Sequence, residues 1–183
     1  KNDKIQKLSI IRQGAAAKAF EPTWEEFQEL SKKVLDERQA LMVQEGENTK
    51  TILEDFAARQ WKGIAFEEDE RGLFRYIVKP GSGKTGVERG NVKQYRLHYT
   101  LWAPSKEGIA TKVDSSVDRG EPIQIAPGQV IEAWNITMPQ MQDGEKRVIL
   151  APSDLGYGKR GSPPMIQPYS YLLFEMEMLG FVP

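Results

Sequence analysis

Residue types able to do covalent or metal chemistry are scarce in this chain, and their placement excludes most of what they could do. Cysteine is absent and histidine occurs once, as His98. There is therefore no thiol nucleophile, no disulfide framework and no Cys/His cluster for a metal. His98 has no Ser/Asp arrangement around it, and in Leu97-His98-Tyr99 it reads as a structural histidine of a strand. Gly81-Ser82-Gly83-Lys84-Thr85 imitates a phosphate loop, but the leading glycine is missing, since position 78 is Val78. A phosphate loop also needs a helix directly behind it, and Gly86-Val87-Glu88-Arg89-Gly90 is not read as one. What remains are rings and aliphatic groups (Tyr99, Val130, Ile131, Trp134, Tyr157, Phe174) with one carboxylate, Asp114 in Val113-Asp114-Ser115-Ser116. Taken singly, each ring is more often core than pocket, and Asp114 is an ordinary turn carboxylate.

The elements that must position these residues follow from periodicity. Lys4-Ile5-Gln6-Lys7-Leu8-Ser9-Ile10-Ile11-Arg12 alternates like a strand and needs a partner to be stable. Thr23 and Glu26 form a capping-box signature. Behind it, Trp24, Phe27, Leu30, Val34, Leu41 and Met42 recur at helical spacing. Gly46-Glu47-Asn48 is the expected break, after which Ile52, Phe56 and Trp61 resume the pattern. From Gly72 the character changes to strands: Leu73 to Val78, then Val92 to Tyr99, with one short helix near Trp134. This order predicts an α+β fold, an antiparallel sheet wrapped around a short helix. The chain has 183 residues, enough for one domain and a smaller appendage. Its net charge is −1 with both signs interspersed, so nucleic acid and anionic membrane are not expected partners. No apolar run approaches the roughly 20 residues of a membrane span.

Between Val130 and Phe174 several pieces arrive in a fixed order. They are Val130-Ile131-Glu132-Ala133-Trp134, the strand Gly144 to Pro152, Leu155-Gly156-Tyr157-Gly158, and Leu172-Leu173-Phe174-Glu175-Met176-Glu177. This order resembles the FKBP family of macrolide-binding peptidyl-prolyl cis-trans isomerases. The resemblance covers roughly residues 72–182, and Pro80-Gly81-Ser82-Gly83 matches the turn after the family's first strand. It implies a half-barrel sheet and isomerisation of X–Pro bonds in unfolded or proline-containing polypeptides, without cofactor or metal. By resemblance Trp134 is the pocket floor, with Val130, Ile131, Val113 and Ile123 on its walls. Tyr99 and Phe174 supply aromatic sides, Tyr157 a hydroxyl donor, and Ile166 the rim. Asp114 polarises the amide or accepts a hydrogen bond, with Arg119 as its charge partner.

The chain departs from the family pattern mostly around that pocket. Val113 and Ile123 stand where rings are usual, which implies a wider proline site and weaker binding of a macrolide inhibitor. The hairpin Leu101–Lys112 is longer than the family's, and its Trp102 is expected to fold back and replace one lost ring. Pro139 must end or kink the helix after Trp134. Two prolines, Pro163 and Pro164, imply a preorganised rim. The expected division is an N-terminal strand-and-helix extension over 1–67 and the isomerase domain over 68–183. A homodimer through the extension and a periplasmic or cell-envelope location are further expectations. A chaperone or proline-peptide binding module with little turnover is the alternative function.

Overall fold

The structure is a computed structural model of the chain, and it describes residues 23–183. The strand expected within Lys4–Arg12 lies outside the described residues. Helix α1 (Trp24–Gln60) begins as its capping box requires. The Thr23 hydroxyl accepts from the Glu26 N–H at 3.2 Å, and the Glu26 carboxylate accepts from the Thr23 N–H at 2.7 Å. The break expected at Gly46 does not occur, and α1 runs through it. A mid-helix glycine costs only about 1 kcal/mol relative to alanine. Burial of Leu53 and Ala57 on the following turns holds the helix against that cost.

The chain divides into two units between Ala40 and Leu41. The boundary expected at 67/68 therefore falls inside the second unit, whose sheet already begins with β1 (Glu67–Glu68). In the first unit, Trp24, Phe27, Leu30, Val34 and Leu35 are exposed, with Trp24 at 70%. The Trp24 and Phe27 rings stack with centroids 5.6 Å apart.

The second unit is built on an antiparallel sheet. Its strands are β1, β2 (Phe74–Lys79), β3 (Gln94–Pro104), β4 (Ala110–Ser115), β5 (Ile123–Ile125), β6 (Lys146–Ala151) and β7 (Leu172–Val182). The order is β1-β2-β6-β7-β3-β4, with β5 also paired to β3. Period-two alternation sends neighbouring residues to opposite faces. On the inner face, Leu97, Leu101, Ile149, Leu172, Phe174 and Met176 pack with Ala133 and Trp134 of helix α3 (Glu132–Thr137). On the outer face, Phe74, Trp102, Val148, Leu150 and Leu173 pack against Leu53 and Ala57 of α1. Both faces are thus covered.

Helix α2 (Gly86–Arg89) corrects the reading of the phosphate-loop mimic, because one helical turn does follow Lys84-Thr85. Its first turn is closed by the protein itself: Thr85 Oγ1 accepts from the Glu88 N–H, and the Glu88 carboxylate accepts from the Thr85 N–H at 2.7 Å. That carboxylate stands where a phosphate would need the amide. Helix α3 stops at Thr137 and gives way to a 3₁₀ turn, Met138–Gln140, at the proline that cannot continue it.

Candidate functional site

Three rings converge on the inner face. Trp134 lies between Tyr99, at 4.9 Å between centroids and 76° between planes, and Phe174, at 5.5 Å and 77°. Edge-to-face packing of this kind is favoured by the ring quadrupoles and fixes the indole on two sides. The indole is 5% exposed, and its N–H has no acceptor among the described residues. Around it, Tyr99, Val113, Ile123, Val130 and Ile131 are half-buried and pack against the same cluster.

Each wall has a local reason for its position. Tyr99 is the half-buried residue of β3 between Leu97 and Leu101, all three on the inner side. Ser116 ties β3 to the turn after β4: its hydroxyl accepts from the Tyr99 N–H at 2.8 Å and lies 3.0 Å from His98 Nδ1. His98 is thereby accounted for as a strand residue. Val130 and Ile131 are set by Asn135, whose amide donates to the Val130 carbonyl at 3.1 Å and whose oxygen accepts from the Gly128 N–H at 3.0 Å. Ile131 is the N-cap of α3, where a backbone N–H has no partner inside the helix. Ile166 is held by a two-way bridge to Ser162, at 2.9 and 3.0 Å, which leaves Pro163, Pro164 and Met165 exposed at the loop tip. Gly161 has φ of 61°, and a Cβ there would lie 2.5 Å from the Ile166 carbonyl oxygen, so this bridge requires glycine. Tyr157 heads the preceding 3₁₀ turn and is 41% exposed.

The charged part of the site is a closed set. Asp114 accepts from the Tyr99 hydroxyl, from the Arg119 guanidinium and from the Ser115 N–H, the last at 2.8 Å. Arg119 also donates to the Tyr99 hydroxyl at 3.3 Å and lies over that ring. Partial burial by itself would raise the Asp114 pKa. The donors and the Arg119 charge outweigh it and hold the carboxyl below its ordinary value. Burial, helped by Asp114, pushes the Tyr99 phenol up.

Trp102 corrects an expectation. It is buried, but on the outer face, with centroids 5.5 Å from Phe56 and 5.8 Å from Trp61. It therefore replaces no ring near Trp134. Two positioning residues, Ser116 and Asn135, are not singled out by sequence reasoning. The available signal is weak: short polar side chains flanking turns bond nearby backbone.

An antiparallel sheet around a short helix, with an indole packed between two rings and a ring-bonded carboxylate, defines an FKBP-type fold. A family model for the FKBP-type peptidyl-prolyl cis-trans isomerases matches residues 84–179. The chain belongs to this family, and the enzyme class is peptidyl-prolyl cis-trans isomerase. FK506-binding protein 1A of Aspergillus fumigatus is 41% identical over 111 residues, 60% of this chain and 94% of that protein. An FK506-binding protein of Neisseria meningitidis is 39% identical over 104 residues, 56% of this chain and 89% of that protein. Among solved structures, AtFKBP13 superposes with a TM-score of 0.55 at 29% identity, over 65% of this chain and all of that one. FkpA from Escherichia coli covers 92% of this chain and 77% of its own, with a TM-score of 0.58 at 24% identity, a likeness of fold.

Proposed function

We propose that the proline ring of a polypeptide enters between Tyr99, Trp134 and Phe174, and that its X–Pro bond rotates there. That rotation faces about 18–20 kcal/mol because resonance stiffens the C–N bond. A twisted amide is less charge-separated than a planar one, so an apolar enclosure favours it without nucleophile or metal. In this reading Trp134 is the floor, and Val113, Ile123, Val130, Ile131 and Ile166 form wall and rim. The Ile131 N–H and the Tyr157 hydroxyl donate to the peptide, and Asp114 favours the twisted amide electrostatically. The observation that supports it most is the indole held edge-to-face by two rings beside the Asp114–Arg119 ion pair. The test is a coupled proline-peptide assay on the parent protein, Asp114→Ala and Trp134→Ala. Loss of turnover in both supports the assignment, and turnover near background that neither change alters removes it.

Val113 and Ile123 favour a second reading, a chaperone or binding module that holds proline-containing segments with little turnover. Binding of an unfolded chain with prevention of its aggregation, weakened in Trp134→Ala while turnover of the parent protein stays near background, would favour that reading. The exposed stripe Trp24, Phe27, Leu30, Val34 supports a homodimer through the N-terminal region. A cell-envelope location belongs to the same proposal and is tested by fractionation; recovery with cytoplasmic markers removes it. Among the described residues no helix is long and apolar enough to cross a membrane.

A further inference from the structure

A second cleft of about 400 Å³ opens between α1, the β3–β4 hairpin and the loop before β7. It shares no residue with the aromatic site. Its walls carry Asn48 and Ile52 of α1, Pro104 and Lys106 of the hairpin, and Pro168 and Ser170 of the loop. We propose that this cleft is a second polypeptide site, taking an extended stretch of the chain whose proline occupies the aromatic site. The proposal rests on the isomerase reading above and extends it to long substrates.

The lining chemistry fits a peptide main chain. Ile52, Pro104 and Pro168 offer apolar cover, and Asn48 offers an amide that both donates and accepts. Charge is balanced, with the Glu45 carboxylate on one wall and Lys106 on another, so an anionic small ligand such as a phosphate gains little. The volume lies in the roughly 300–1,000 Å³ range of binding clefts. Ser170 is 3% exposed, and its hydroxyl has no hydrogen-bond partner among the described residues. A buried hydroxyl left unpaired is costly, and a wall that keeps one suits a main-chain ligand.

The walls are also fixed in advance. Thr49 Oγ1 donates to the Gly46 carbonyl at 2.7 Å and accepts from the Tyr171 N–H at 3.1 Å, tying the loop to α1. Preorganisation of this kind lowers the entropy lost on binding. Continuity decides the occupant. Ile166 packs in the cluster around Trp134, and Gln167 and Pro168 follow it directly into the cleft. In the proposed pose the polypeptide leaves the aromatic site over the exposed tip of this loop, Pro163 to Met165, and reaches the cleft at Pro168.

The experiment uses the full chain and two variants, Asn48→Tyr, which fills the cleft from an exposed helical position, and Ser170→Ala. The probe is a reduced, carboxymethylated protein that stays unfolded, followed by anisotropy and by amide shifts. A short proline tetrapeptide serves as the control substrate. The expected result is affinity for the unfolded chain about fivefold weaker in Asn48→Tyr, the loss of one or two main-chain hydrogen bonds. Tetrapeptide turnover should be unchanged in both variants, and the Asn48, Lys106 and Ser170 amides should shift with the unfolded chain alone. Equal affinity in both variants with unmoved cleft amides overturns the cleft. If the parent lacks tetrapeptide turnover, the isomerase reading fails, and the amide shifts still decide the cleft.

Discussion

Asp114 carries the site's electrostatics, because three donors, one of them the Arg119 cation, face a carboxyl that remains partly exposed. Its pKa is depressed in the folded chain, so its contribution to stability is present above the ordinary aspartate range. It is lost as pH falls through the depressed value. Turnover should accordingly be flat between about pH 6 and 8 and fall only below the ordinary aspartate value near 3.9. The Tyr99 phenol, shifted upward, adds no alkaline limb below its ordinary value of 10.0. A kcat/KM profile checks this, and a midpoint at neutral pH contradicts it. Asp114→Asn, which keeps shape and removes charge, should lower kcat/KM about tenfold, or ~1.4 kcal/mol of transition-state stabilisation. At the wall, Val113→Phe restores a ring and should tighten macrolide binding about tenfold by calorimetry, the scale of one well-packed aromatic contact. Much of this site is legible in the sequence, since Tyr99, Asp114, Trp134 and Phe174 come in a fixed order. Ser116 and Asn135 are not, because a lone polar residue at a turn has no period, and its backbone partners exist only once the fold is made.

Among the elements, β3 shows where reading by period stops. Alternation over Tyr95 to Tyr99 marks a half-buried strand, but from Thr100 to Pro104 every residue is buried, and no polar side is left to mark which of them point inward. Trp102 was therefore assignable to either face, and the structure places it under α1 with Phe56 and Trp61. Trp102→Ala should cost about 3–5 kcal/mol of stability in denaturant unfolding, while tetrapeptide turnover at temperatures where the variant stays folded is unchanged. A fall in kcat/KM without a stability loss would return Trp102 to the pocket. The glycines separate in the same way. At Gly46 a Cβ would lie 3.7 Å from the Tyr169 carbonyl oxygen, an ordinary contact. Gly46→Ala should then stabilise by about 0.5–1 kcal/mol through helix propensity and unfolded-state entropy. The break expected there fails for the same reason: propensity is small beside the burial of Leu53 and Ala57, two and three turns further on.

For the molecule as a whole, the decisive feature is that the sheet's outer face is closed by the chain's own helix. A boundary at 67/68 is sensible from composition, because Glu67–Arg71 is charged and poor in apolar anchors. It ignores what covers Phe74, Val148, Leu150 and Leu173, and that partner is more than ten residues upstream, at Leu53 and Ala57. Residues 68–183 alone would leave this apolar face in water, where a contiguous patch invites association. Residues 41–183 would keep it covered. The shorter chain should therefore lose several kcal/mol and aggregate, whereas 41–183 should unfold cooperatively and retain the parent's tetrapeptide turnover. Light scattering then isolates the first part of the helix, residues 24–40. With the exposed Trp24, Phe27, Leu30 and Val34 stripe present, the full chain should weigh as a dimer, and without it 41–183 should weigh as a monomer. Equal monomer masses remove the dimer. Equal dimer masses move the interface onto the isomerase unit, where it would have to be compatible with an open aromatic site.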